Sequence, residues 1–334
     1  MSIIDKVKDA IGADPTKDAD PDMKRVLDTL ADLDGKPIES CDAEEARQQP
    51  TPADAVARIM EEDGLTAPEG VTTQDITIPT PAGSNPGRVY RPATATATDL
   101  LPVILYFHGG GWVIADLDTY DATPRSLALQ TGAIVISAHY RQAPENKFPA
   151  AHDDANATYE WLLDNAKNFG GDAERIALVG ESAGANLAIN VARHAVTNGL
   201  SVPRYEVLVY PVASNDLHSE SYHQNSNAKP LSRPMMEWFV EQISTSPSDV
   251  EDPRINLVEA DLHGLPATLV ITAGIDPLRS DGEKLVSVLQ SSGVTVEHHD
   301  YPGVTHEFFG MAAVVNAAAQ AQAGATEKLK AALQ

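Results

Sequence analysis

The chain has 334 residues, enough for one large core with a smaller appended part, and its 43% hydrophobic and 22% charged residues are an ordinary globular composition. Its 24 basic against 48 acidic residues give a net charge of −24, which repels nucleic acid and anionic lipid alike, so neither is expected as a partner. No apolar run reaches the length of about 18 residues needed to span a bilayer, so no membrane helix is expected.

The first 70 residues read as helical and acidic. A helix over 22–33 would put Met23, Val26, Leu27 and Leu30 on one face. Thr51-Pro52-Ala53-Asp54 starts another, with Thr at the N-cap, Pro in the first turn and Asp at the third position. From residue 72 the pattern turns to apolar strands alternating with helices. Strands are expected at 74–78, 87–91, 103–107, 133–138, 175–179, 205–210, 267–272 and 294–301, and helices at 158–165, 185–197 and 281–291. The run Thr-Ala-Thr-Ala-Thr at 94–98 reads as a surface turn. Several strands are apolar almost throughout, as parallel strands covered on both faces must be. About eight strands with intervening helices predict an α/β sheet whose chemistry lies at the carboxyl ends of its strands.

Between 210 and 267 the alternation stops. Inside this stretch, 232–243 is an amphipathic helix with Met235, Trp238, Phe239, Gln242 and Ile243 on one side. Long insertions in compact domains are commonly functional, so this one is expected to be a lid whose apolar underside meets substrate.

Chemistry concentrates at three places. Gly180-Glu-Ser-Ala-Gly184 sits between a strand and a helix and puts Ser182 on a sharp, strained turn that exposes its hydroxyl. By chance alone such a pattern would turn up in roughly 0.1 copies per chain of this size, so its context decides. A serine needs a base to take its proton, and the base needs a partner to fix its tautomer. Asp276 follows the 267–272 strand and His306 follows the next one, which gives the order Ser, acid, His along successive strand ends. Asp281 competes for the acid role but is expected to cap the helix after it. His298 and His299 lie inside a strand, where neither reaches the rim. The third place is His108-Gly109-Gly110-Gly111-Trp112, directly after an apolar strand; its glycines expose backbone N–H groups that would hold an oxyanion together with the N–H of Ala183.

Rival motifs fail. Ile114 stands where a dinucleotide fingerprint needs its third glycine, and no phosphate loop, His-Glu-x-x-His or paired cysteine pattern is present, so no cofactor and no metal are expected. Cys41 is the single cysteine, and the N-terminus is broken by charge where a secretory signal would be apolar. The expected location is the cytoplasm. The acidic excess reads as a solubilising surface or as adaptation to salt; composition leaves homo-oligomerisation open.

With these residues assembled, the chain resembles the hormone-sensitive-lipase-like (bacterial family IV) carboxylesterases of the α/β-hydrolase superfamily. The matching blocks are His108–Trp112, His139-Tyr-Arg-Gln-Ala-Pro-Glu145 with Phe148-Pro-Ala150, Gly180–Gly184, Asp276-Pro-Leu278 and His306. The resemblance implies a mostly parallel eight-stranded sheet flanked by helices, with a helical cap. It implies Ser182 as nucleophile, His306 as general base, Asp276 as orienting acid, and Gly110, Gly111 and Ala183 as oxyanion donors on a loop supported by His108 and Gly109. Trp112, Met235, Trp238, Phe239 and Leu278 would line the substrate pocket. Residues 1–70 and 213–250 would form the cap, and 71–212 with 251–334 the catalytic core. The implied substrate is a small ester with a short acyl chain. Amides, lactones or an acetylated metabolite suit the same machinery; a non-catalytic small-molecule receptor on this fold would be expected to lack His306. Glu181 and Ala185 depart from the family's usual residues at those positions.

Overall fold

The computed structural model describes residues 14–96 and 99–334. The strands are β1 (Val71–Thr80), β2 (Gly83–Pro92), β3 (Leu101–Phe107), β4 (Ile134–Ala138), β5 (Gly171–Glu181), β6 (Tyr205–Val209), β7 (Ala267–Ile275) and β8 (Val296–Thr305). They form one eight-stranded sheet in the order β1-β2-β4-β3-β5-β6-β7-β8. β1 and β2 form an antiparallel hairpin, β2 pairs antiparallel with β4, and every other neighbouring pair is parallel. All eight expected strands are present, most of them longer at their ends than the apolar runs that announce them.

The helices are α1 (Pro21–Ala31), α2 (Ala43–Ala46), α3 (Pro52–Glu62), α4 (Ala122–Thr131), α5 (Ala150–Asn165), α6 (Ala183–Asn198), α7 (Glu220–Gln224), α8 (Arg233–Ile243), α9 (Arg279–Ser291) and α10 (Asn316–Ala332). α3 starts as the sequence indicates: Thr51 and Asp54 form a reciprocal capping box with Pro52 in the first turn. β3, β4 and β6 are buried along most of their length, because helices cover both faces of the sheet. One face packs residues such as Leu162 of α5, Leu187 of α6 and Leu285 of α9. The other packs Met23 and Val26 of α1, Ile59 of α3, Leu127 of α4 and Leu329 of α10.

Two expectations need correction or completion. Asp281 does not cap α9: it lies inside the first turn, fully buried, and accepts the backbone N–H groups of Ala213 (3.2 Å) and Ser214 (2.9 Å). It therefore anchors the start of the long segment after β6. α10 is absent from the sequence expectations because its buried face is made mostly of alanine, Ala318, Ala321 and Ala325, which gives little contrast with its exposed face. The turn expected at 94–98 does connect β2 to β3, with residues 97 and 98 outside the described residues. The charged N-terminal stretch read above as lacking a signal also lies outside them. Among the described residues no helix is long and apolar enough to cross a membrane.

Candidate active site

The three strand-end loops converge at the carboxyl edge of the sheet. At the end of β5 the chain reverses into α6 within a turn that leaves no room for side chains. A methyl group on Gly180 would run into the Gly184 carbonyl, and one on Gly184 would strike the carbonyls of Phe107 and His108. Ser182 sits between them at φ 56°, in the left-handed region that an L-residue adopts only under constraint. The constraint comes from β6, because the Ser182 N–H donates to Val209 O at 2.9 Å.

Asp276 follows β7 and His306 follows β8, two strands that are neighbours in the sheet. His306 Nδ1 lies 2.7 Å from Asp276 Oδ2, and His306 Nε2 lies 3.0 Å from Ser182 Oγ. An ionised carboxylate only accepts, so Nδ1 carries the ring proton and Nε2 presents its lone pair to the serine hydroxyl, which donates. Asp276 is itself fixed: Oδ1 accepts the Leu278 N–H at 2.8 Å, and Asn225 Nδ2 donates to the Asp276 carbonyl at 3.1 Å. All three side chains are buried. Burial disfavours the imidazolium of His306, but the charge of Asp276 and the hydrogen bond to it outweigh that, helped by Glu307 and Glu181, and the pKa stands above 6.5.

The loop after β3 faces this line. Gly110 and Gly111 take φ 97° and 58°, and a side chain on Gly111 would collide with the Phe239 ring of α8. His108 holds the loop from inside, with Nδ1 donating to Gly109 O at 2.8 Å. The Tyr140 hydroxyl donates to the carbonyls of His108 (2.9 Å) and Gly109 (3.0 Å). The N–H groups of Gly110, Gly111 and Ala183 have no partner among the described residues, and Ala183 is the first residue of α6, where helix geometry leaves N–H groups open. Three open donors beside a serine–imidazole–carboxylate line can hold an oxyanion while the hydroxyl attacks a carbonyl.

Around the line lies a set of acids and phenols that the sequence reading did not assemble. Glu181, fully buried, accepts hydrogen bonds from Tyr106 (2.6 Å) and from Tyr210, whose ring centroid lies 4.4 Å from that of His306. Burial pushes its carboxyl up to about 7, against the two phenol bonds. Glu307 accepts from Tyr120 at 2.6 Å and is raised by burial as well. Adjacency to Ser182 and His306 was the available signal; the tyrosines carry none, being scattered from residue 106 to 210.

A cavity of about 690 Å³ opens over Ser182 and His306. One wall comes from the N-terminal segment, including Leu27, Leu30, Ile38 and Pro50; another comes from the segment after β6, including Leu231, Met235, Met236 and Phe239. Trp112, Met235 and Phe239 line it as expected. Trp238 and Leu278 do not. Trp238 turns to the far side of α8 and donates from Nε1 to Cys41 O at 3.1 Å, and Leu278 is fully buried in the core on the face of the sheet that α5, α6 and α9 cover. Met236, absent from the sequence candidates, lines the cavity beside Met235. His298 bonds Thr272 at 2.8 Å within the sheet and takes no part in the site. Among the described residues no group of acidic, histidine or cysteine side chains is arranged to hold a metal ion.

The fold and this arrangement define a serine hydrolase built on an α/β sheet. A family model described as the alpha/beta hydrolase fold matches residues 104–310. Carboxylesterase NlhH of Mycobacterium tuberculosis is 36% identical over 324 residues, covering 95% of this chain and 97% of that protein. Ethyl acetate hydrolase of Pseudomonas putida is 34% identical over 286 residues, with 84% and 88% covered. Among solved structures, an esterase of Pyrobaculum calidifontis superposes with a TM-score of 0.83 at 33% identity, covering 95% of this chain and all of that one. The chain belongs to the α/β-hydrolase fold family, in its hormone-sensitive-lipase-like branch, and is a carboxylic ester hydrolase.

Proposed function

We propose that the chain hydrolyses short-chain carboxylic esters through an acyl-enzyme formed on Ser182. The observation that carries this is the unbroken line from Asp276 through His306 to Ser182, with distances of 2.7 and 3.0 Å, opening onto the cavity. His306 Nε2 takes the hydroxyl proton as Ser182 Oγ attacks the ester carbonyl. The N–H groups of Gly110, Gly111 and Ala183 receive the developing oxyanion, and His108 and Gly109 keep their loop in place. His306 then gives the proton to the departing alcohol and activates water for the second half. Asp276 holds the tautomer throughout.

The N-terminal segment and residues 213–250 act as the cap, and the side chains of Met235, Met236 and Phe239 on α8 shorten the space left for an acyl chain. Cys41, a buried free thiol, suits a reducing compartment such as the cytoplasm. The test is a series of p-nitrophenyl esters from acetate to decanoate with wild type and Ser182→Ala. Turnover should peak at the short acyl chains, and the variant should lose about 10⁴- to 10⁶-fold. Undiminished turnover in the variant, or a peak at decanoate, would overturn the reading.

A further inference from the structure

His139 also lines the cavity, and its hydrogen bonding is determined by the loop that carries Gly110 and Gly111. His108 is fully buried, and burial lowers its pKa to about 3, so its ring is neutral and carries one proton. That proton is on Nδ1, because Nδ1 faces the Gly109 carbonyl at 2.8 Å. His108 Nε2 is therefore an acceptor, and the group facing it, His139 Nδ1 at 3.0 Å, must donate. Burial also lowers the pKa of His139, against the pull of Asp116. A neutral His139 has then used its only proton, and its Nε2 is a bare lone pair with no partner among the described residues.

Two neighbours repeat the pattern. Asp116 spends Oδ1 on the N–H groups of Asp118 and Thr119 and on the Thr119 hydroxyl, and among the described residues no group bonds its Oδ2. Gln142 spends Nε2 on the carbonyls of Ile114 and Ala115, both at 2.8 Å, and among the described residues no group bonds its Oε1. Both residues line the same cavity. The cations nearby are already engaged: Arg47 bonds Val113 O, Ala143 O and Glu145, and Lys36 pairs with Glu45. Lys229 also reaches the cavity, but from the segment after β6, where it is exposed. The wall formed by the side chains of residues 116, 139 and 142 thus offers acceptors with no free donor of its own, two of them neutral and partly buried and the third, Asp116, exposed at the rim. The one buried unpartnered side-chain donor on the cavity among the described residues, Trp112 Nε1, belongs to a different residue of the loop.

We propose that this wall is a subsite for hydroxyl groups, so that the enzyme prefers esters whose acid or alcohol part carries one. The proposal rests on the ester hydrolysis set out above and adds the substrate class. It is tested with two matched pairs, glyceryl monobutyrate against propyl butyrate and methyl 3-hydroxybutyrate against methyl butyrate, each followed by acid release. Wild type should favour the hydroxylated member of at least one pair by about tenfold in kcat/KM, the worth of about one net hydrogen bond. Asp116→Asn keeps Oδ1 for the turn and replaces the free oxygen by a donor. Gln142→Lys keeps a donor for the two carbonyls and removes the acceptor. Each should pull the ratio towards one. Equal rates within both pairs in wild type, or a preference that survives both substitutions, would overturn the subsite. Ser182→Ala run alongside separates this result from failure of the proposed nucleophile, since it should abolish all four hydrolyses whatever the ratio.

Discussion

At the scale of single residues, the site depends on which atom holds a proton. Because Asp276 raises the pKa of His306 from its ordinary value, the neutral imidazole that the proposed mechanism needs as base is lost at a higher pH than a free imidazole would lose it, and the acid limb of kcat/KM should be displaced upward accordingly. Asp276→Asn removes the attraction that raises it and permits the wrong tautomer. The variant should lose on the order of 10⁴ in kcat, and its acid limb should move to lower pH. A limb that stays in place would assign the titration to another group, and kcat/KM between pH 5 and 9 decides it. Gly111→Ala should cost about 100- to 1000-fold in kcat, since the added methyl meets Phe239 and moves an N–H donor. Activity within tenfold of wild type would remove Gly111 from the donor set. The convergence of Ser182, Asp276 and His306 was readable in advance because each follows a strand, in an order imposed by the sheet. Trp238 and Leu278 were misplaced because a helix face or a loop residue can be buried against a neighbour as easily as against a cavity, and a single sequence does not say which.

At the scale of elements, strands with unbroken apolar runs were plain and alanine-rich α10 was not, because periodicity registers contrast and alanine provides little. The capping of α3 was legible to the residue, whereas Asp281 was assigned to its own helix when its buried carboxylate serves a loop from elsewhere. The proposed cap is likewise held by contacts remote in sequence. Trp238 of α8 bonds Cys41, and Arg47, just after α2, reaches the carbonyls of Val113 and Ala143 and pairs with Glu145 at 2.7 Å. Hydrogen bonds to a charged group are each worth about 1.5–3 kcal/mol when buried, and the half-exposed pair with Glu145 less. Arg47→Ala should therefore loosen the N-terminal wall, raising KM several-fold for short esters while kcat changes little. A fall in kcat with KM unchanged would show that Arg47 acts on the Gly110–Gly111 loop instead of on the wall.

At the scale of the whole molecule, several buried acids should make stability depend on pH. Glu181 and Asp281 are both pushed up to about 7 by burial, and Glu206, in the middle of β6 with neither carboxylate oxygen bonded among the described residues, stands well above its ordinary 4.5. A raised carboxyl favours the folded state fully below the unfolded pKa of about 4.5 and loses that contribution as pH rises towards the folded value. The melting temperature should therefore fall by several degrees between pH 5 and pH 8, at roughly 2 °C per kcal/mol for a chain of this size. Glu206→Gln should flatten that slope, and scanning calorimetry of both proteins across the range checks it; an identical slope would show that Glu206 is not among the responsible groups.

The bond between Trp238 and the Cys41 carbonyl joins two stretches of chain 197 positions apart. On the proposed function, selectivity and reactivity are thus written on separate parts of one polypeptide: the reacting atoms on strand ends, the discriminating surfaces on two pieces clasped to each other. A graft from a relative would have to bring both pieces together, since either one alone would arrive without its clasp. Such an exchange of the matched pair should alter substrate choice while leaving the proposed proton-handling residues as they are.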